Sequence, residues 1–197
     1  SPCGTHFASG DFNGKVIIWD PENLKMKGGH RVGIKAHSKW ITSMAWQPLH
    51  LSTTPVCELL VTASKDALLK LWNVRTQSCL VTMSGHLESI ECVKWGAHDL
   101  IYSASRDRTI KVWNAKEKGK LCRTLVGHAH RVNTLALNTE YVTRTGPYDH
   151  NGKFNVTATE GDTAARSAAL AKYQKFCATL NPVELLVSGS DDQTLHL

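Results

Sequence analysis

The stretch Gly-His-Leu-Glu-Ser-Ile-Glu-Cys-Val-Lys-Trp-Gly (85–96), followed by Ile-Tyr-Ser-Ala-Ser-Arg-Asp-Arg-Thr-Ile-Lys-Val-Trp-Asn (101–114), decides the fold, because its parts recur at fixed offsets. His86 has counterparts in His37 and His128. Each opens a short strand-like run, and the ninth residue after the His is Trp46, Trp95 or Leu137. Gly85 and Gly127 precede two of these histidines, and Ala36 precedes the first. In the second part, Ser103 stands four residues before Asp107, which stands six before Trp113. The same offsets hold for Thr62, Asp66 and Trp72, and for Ser9, Asn13 and Trp19. A fourth copy has Ser188 and Asp192, and reaches Leu197 one residue before the matching Trp position. Self-similarity at this period is the mark of a repeat architecture.

Local chemistry says what each repeat builds. Val16-Ile-Ile18, Leu68-Leu-Lys-Leu71 and Thr109-Ile-Lys-Val112 are short, β-branched or Leu-rich runs. Turn signals precede them: Asn13-Gly14, Lys65-Asp-Ala67 and Arg106-Asp-Arg108. Such near-continuous apolar runs predict strands buried on both faces. With its G-H and W-D signatures the chain resembles the WD-repeat family, whose four-stranded blades stack into a β-propeller. The resemblance implies an all-β WD40 propeller, here about three and a half blades: a part blade over 1–35, then blades over 36–84, 85–126 and 127–197. It places the His between strand d of one blade and strand a of the next. The hydroxyl residue falls on strand b, the acid in the b–c turn and the Trp on strand c. It also implies a hydrogen-bonded relay of His37, Thr62, Asp66 and Trp72, repeated by His86, Ser103, Asp107 and Trp113, then by His128, Ser188 and Asp192. Ser9 and Trp19 would be the remnant of a first relay; Asn13 departs from the usual turn Asp, and its His is missing.

Spacing from hydroxyl to Trp is constant at 10 residues. From His to hydroxyl it is 25, 17 and 60, so variation concentrates in the a–b connection, as expected of a tolerant surface loop. The long connection predicts an insertion over 139–183. It opens as the Gly/Asn/Asp-rich loop 145–152 and continues as a helix with Asp162 as N-cap and Ala164–Ala178 as body. Ala169, Leu170, Tyr173, Phe176, Cys177 and Leu180 form its apolar stripe. Surface helices usually cover their own core, so packing on its own blade is expected over packing on a partner.

Composition bounds the partners. Hydrophobic residues make up 42 % and charged residues 20 %, a normal globular balance. No apolar run approaches the roughly 20 residues of a membrane-crossing helix, and no secretory leader is expected. The formal charge of +6 suits phosphate-rich or acidic partners, although the basic residues form no run. Cys3, Cys57, Cys79, Cys92, Cys122 and Cys177 form no C-x-x-C pair and read as reduced packing residues. The sequon at Asn155 carries little weight without a leader.

Longer stretches extend the resemblance. They are 36–50, 85–96, 101–113, 121–128, Thr143-Arg-Thr-Gly146 and 186–192, with the helical insertion before the last. Together they resemble the middle of the Notchless family, large-subunit ribosome assembly factors. That resemblance implies an eight-bladed propeller in the nucleolus and nucleus, bound to pre-60S ribosomal proteins and rRNA. It also implies engagement of a Midasin-type AAA ATPase through an upstream ubiquitin-like domain absent from these residues. The alternative is another WD-repeat adaptor, such as a ubiquitin-ligase substrate receptor or signalling scaffold.

Recurrent Ser, His and Asp could be read as a hydrolase triad. Several similar sets cannot all be active sites, whereas each blade needs a clamp, so no catalytic residue is expected. His128-Ala-His130 lacks a third ligand for a metal. No phosphate-cradling motif appears, and neither cofactor nor small-molecule substrate is expected. Candidate top-face binding residues are Lys39, Trp40, Lys65, Arg106 and Arg131, alongside Glu88, Ser89, His130 and Asp191; Trp40 and Arg131 are the anchors by type. Three and a half blades leave strand edges and faces uncovered, so the sequence is expected to be an excerpt of a longer chain.

Overall fold

Each copy of the repeat forms one antiparallel sheet whose strands follow sequence order. The structure is a computed structural model and describes residues 1–26, 33–149, 151–153, 163–180 and 183–197. The first sheet contains β1 (Phe7–Gly10), β2 (Lys15–Trp19) and β3 (Ile34–Lys35). The second contains β4 (Ile41–Trp46), β5 (Leu59–Ser64), β6 (Leu69–Asn73) and β7 (Ser78–Met83). The third contains β8 (Ile90–Trp95), β9 (Leu100–Ser105), β10 (Thr109–Asn114) and β11 (Lys120–Val126). In the fourth, β12 (Val132–Leu137) pairs with β13 (Leu186–Ser190) and that with β14 (Leu195–His196). Between β12 and β13 lie α1 (Glu140–Thr145) and α2 (Thr163–Leu180).

The repeat extends to backbone detail. An irregularity sits at the same place in every strand a: Ile41/Ser43, Ile90/Cys92 and Val132/Thr134. Each b–c turn puts a left-handed residue just after its acid or amide: Gly14 (φ 76°), Ala67 (67°), Arg108 (68°) and Gln193 (65°). Glycine is required only at the first, where a Cβ would lie 2.3 Å from the His37 carbonyl oxygen. Elsewhere the acid holds the turn by accepting a backbone N–H two residues on: Leu68 to Asp66 at 3.1 Å, Thr109 to Asp107 at 2.9 Å. That bond offsets the roughly 1–3 kcal/mol of an αL non-glycine residue.

The core lies between sheets rather than within one. Val61, Ala63, Leu69 and Leu71 of the second sheet pack on Ile90, Val93, Trp95, Ile101 and Trp113 of the third. Tyr102, Ala104, Ile110 and Val112 then pack on Val132, Leu135 and Leu137 of the fourth. Val16 and Ile18 meet Leu60, Trp72 and Val74 on the other side. Strands c, expected to be buried on both faces, instead alternate: Ile17, Lys70 and Lys111 are half-buried between buried neighbours. The continuously buried runs are Leu60–Ser64 and Ile101–Ser105 of strands b. Blades radiating from an axis separate outward, so the next strand out keeps one face wetter. For the same reason Cys79 on β7 and Cys122 on β11 are exposed, not packing residues; all six cysteines are free.

The insertion does not lie on its own blade. Ala165 and Ala169 of α2 pack with Leu49, Cys57 and Cys3, in the a–b connection of the second blade and the N-terminal segment. The Tyr173 ring stacks on His50 with centroids 4.5 Å apart, and its hydroxyl lies 3.2 Å from His98 Nε2 on the third blade. Lys172 Nζ donates to Thr145 Oγ1 and to the Tyr148 carbonyl, both at 2.6 Å. Alanines at the contact allow close approach, which carries the helix across the bottom face to blades two and three. Of the expected apolar stripe, Ala169 is buried and Tyr173, Phe176 and Cys177 are half-buried, but Leu170 is 40 % exposed; the covered side continues through Ala164, Ala165, Ala168 and Lys172. Asp162, the Leu180 side chain and Asn155 lie outside the described residues.

Candidate functional site

Two layers of side chains occupy the top of each blade: a buried relay and the loops above it. In the second blade His37 Nδ1 lies 3.0 Å from Asp66 Oδ2 and Nε2 lies 2.7 Å from Thr62 Oγ1. Trp72 Nε1 donates to the same Thr62 oxygen at 3.0 Å. In the third blade His86 Nδ1 lies 2.7 Å from Asp107 and Nε2 2.8 Å from Ser103 Oγ, to which Trp113 Nε1 donates at 2.9 Å. In the fourth, His128 lies 2.9 Å from Asp192 and 2.8 Å from Ser188. The first blade keeps only Trp19 Nε1 donating to Ser9 Oγ at 2.8 Å, while Asp11 takes up the turn by accepting the Lys15 N–H.

Polarity runs one way through each complete set. The indole N–H donates to the hydroxyl, the hydroxyl donates to Nε2, and Nδ1–H donates to the carboxylate. A neutral imidazole satisfies every group. Burial lowers the pKa of His37, against the pull of Asp66, and so favours that neutral form. Asp107 is held well below the usual carboxylate range: burial opposes this, but the His86 and Thr109 side chains and the Leu87 N–H outweigh it. Asp66 is lowered in the same way, burial being outweighed by the Ser38 N–H and His37.

This arrangement resembles a hydrolase triad only in residue types. The Thr62 and Ser103 side chains sit on fully buried residues, and their hydroxyl oxygens already accept indole N–H bonds. A nucleophile needs a free lone pair facing a substrate, and these hydroxyls face neighbouring strands. His128 has both ring nitrogens in the relay, so it offers no nitrogen to a metal shared with His130.

The exposed layer stands on the relay. Lys65 N donates to the Trp40 carbonyl at 3.0 Å, Arg106 N to Ser89 at 2.9 Å and Asp191 N to Arg131 at 3.2 Å. The structure thus brings each post-His segment against its own b–c turn. Charge differs between them: Arg106 pairs with Glu91 at 3.1 Å, and Arg131 and Asn133 are bonded to Asp191. Lys65 Nζ instead sits 3.8 Å from the Trp40 ring centroid. Arg131, expected as an anchor, is therefore already engaged.

One recurrent set was not anticipated from the sequence. In the second, third and fourth blades an acid stands four residues before the strand-b hydroxyl: Glu58, Asp99 and Glu184; the first blade has Thr5 there. Glu58 pairs with Arg75 at 3.4 Å and Asp99 with Lys116 at 3.2 Å, each base lying three residues after the Trp. Glu184 accepts from Ala97 N at 2.8 Å, Tyr102 Oη at 2.9 Å and Thr139 Oγ1 at 2.6 Å, fastening the fourth blade to the third. The fixed offset was the signal that could have found it.

The WD domain, G-beta repeat family matches residues 1–20, 29–73 and 77–114, more than half of the chain. This chain is a WD-repeat protein. It is 43 % identical over 181 residues to Protein Notchless of Drosophila melanogaster, covering 90 % of the chain and 35 % of that protein. It is 42 % identical over 151 residues to Ribosome assembly protein 4 of Saccharomyces cerevisiae, covering 76 % of the chain and 28 % of the relative. The chain therefore spans about a third of the relatives it matches. Among solved structures, the RRP9 WD40 repeats superpose with a TM-score of 0.59 at 24 % identity, over 68 % of this chain and 39 % of that one. That likeness bears on fold alone and agrees with a fragment of a propeller.

Proposed function

We propose that this WD-repeat chain is part of a non-enzymatic interaction scaffold for assembly of the large ribosomal subunit. The carrying observation is the 43 % identity to Protein Notchless across 90 % of the chain. The relay geometry supports a scaffold over an enzyme, because its hydroxyls are sealed and internally bonded. With α2 laid over the a–b connections of two blades, the top loops are the face left for partners. Lys39, Trp40, Lys65, Arg106 and Arg131 belong to that face, and Trp and Arg are the types that dominate interface energetics. On this reading the propeller has eight blades, resides in the nucleolus and nucleus, and binds pre-60S particles. A Midasin-type AAA ATPase is engaged by a domain outside these residues.

Native purification of the full-length protein tests this. Co-sedimentation with pre-60S particles in a gradient is the expected result. Recovery exclusively with a cullin complex, and none with ribosomal precursors, would overturn it in favour of a ubiquitin-ligase adaptor.

A further inference from the structure

The top of the second blade differs from its neighbours at the same structural station. There the third residue after the His meets the third residue after the strand-b hydroxyl. In the third and fourth blades the cation at that station is tied to a carboxylate, Arg106 to Glu91 and Arg131 to Asp191. In the second blade the partners are Trp40, 51 % exposed, and Lys65, whose ammonium group lies on the indole. Among the described residues no carboxylate pairs with Lys65 or with the adjacent Lys39. The nearest acid in sequence, Asp66, is taken up by His37 and by the backbone N–H groups of Ser38 and Leu68.

More positive charge borders this spot. Lys15 and Lys35 are cross-strand partners on β2 and β3, and Lys35 Nζ donates to the Asn13 carbonyl in the first blade's b–c turn. The next residue of that turn, Gly14, accepts the His37 N–H through its carbonyl at 2.9 Å, which joins the turn to the loop carrying Lys39 and Trp40. Neither lysine has an ion pair among the described residues. The acids that border the cluster, Asp11 and Asp66, accept the backbone N–H groups of Lys15, Ser38 and Leu68 and are outnumbered by the four lysines, so the local potential stays positive and favours an anionic ligand. A half-exposed indole within that field adds a flat stacking surface. Stacking aromatics set among lysines are how single-stranded nucleic acid is held: bases lie on the ring and phosphates meet the ammonium groups. An acidic peptide would use the lysines and leave the indole face without a matching surface.

We propose that Trp40 and Lys65, with Lys39, Lys35 and Lys15 around them, form a binding site for single-stranded RNA. One base stacks on the indole and the flanking phosphates pair with the lysines. This deepens the ribosome-assembly reading, on which it rests, by naming the chemistry of the ligand. Lys65 is held by its own backbone bond to Trp40, so little ordering is needed on binding.

The test is fluorescence anisotropy of the full-length protein with a labelled single-stranded oligouridine, over a range of salt. W40A is expected to weaken binding about tenfold or more, as one base no longer stacks, while W40F retains most of it. The K39A/K65A pair should flatten the slope of log K against log salt by about 1.4, near 0.7 for each phosphate of a single strand that is no longer neutralised. Unaltered melting of these variants confirms that folding is intact. Binding unchanged in W40A and K39A/K65A overturns the site. So does equal competition by polyglutamate with the same Trp40 dependence, which would make the ligand an acidic protein. Co-sedimentation with pre-60S particles is scored separately, so oligonucleotide binding that fails beside intact co-sedimentation removes this site alone.

Discussion

At the scale of single residues, the fold depends on buried polar groups finding partners inside their own blade. His37 offers a pH test. Its folded pKa is depressed by burial, whereas an unfolded histidine titrates near 6.5. As pH falls below that value the unfolded chain takes up a proton that the folded one refuses, so stability declines. Asp66 and Asp107 are also depressed, and their contributions are present above about pH 4 and lost on further acidification. The thermal midpoint of the full-length protein should therefore drop between pH 6.5 and 5, and again below pH 4; in H37Q the His37 contribution to the first drop disappears. A midpoint that rises from pH 7 to pH 5 would contradict this. The relay members were legible because hydroxyl, acid and Trp keep fixed offsets. Glu91 and Glu184 were not, since an acid looks like a solvated charge until its partner is known: Arg106 in the b–c turn of the same blade for Glu91, Ala97 and Tyr102 of the neighbouring blade for Glu184. Arg106 and Arg131 looked free in sequence for the same reason.

At the scale of elements, strands and turns were readable because hydrophobic runs and Asp or Asn-Gly turns repeat together. The destination of α2 was not. A helix rich in alanine has a weak apolar stripe, and nothing local to it encodes the Leu49, His50 and Cys57 surface that receives it. The docking makes opposite predictions for adjacent residues. A169L pushes a branched side chain into packing that leaves Ala169 2 % exposed, and should cost about 1–3 kcal/mol. L170S changes a residue facing water and should stay within about 0.5 kcal/mol. Denaturant midpoints of the two variants in the full-length protein check this. Equal costs would mean that the helix lies elsewhere.

At the scale of the whole molecule, blades are held by faces that only a neighbour can cover. Phe7 on the first sheet, with Phe12 and Leu24 in its loops, is exposed at one end of the stack, and Leu195 and Leu197 of the fourth blade are exposed at the other. Residues 1–197 purified alone are accordingly expected to self-associate, seen as a mass above the monomer by light scattering; a monomeric species with one cooperative melt would contradict that. Labour is divided across the molecule, with buried sets fastening sheets and exposed loops meeting partners. Unfolding free energies of S103A and W40A in the full-length protein address that division most directly. S103A orphans both His86 Nε2 and Trp113 Nε1 and should cost about 1–3 kcal/mol or more, whereas W40A should stay within about 0.5 kcal/mol of the parent. An S103A protein as stable as the parent, or a W40A protein as destabilised as S103A, would contradict the division.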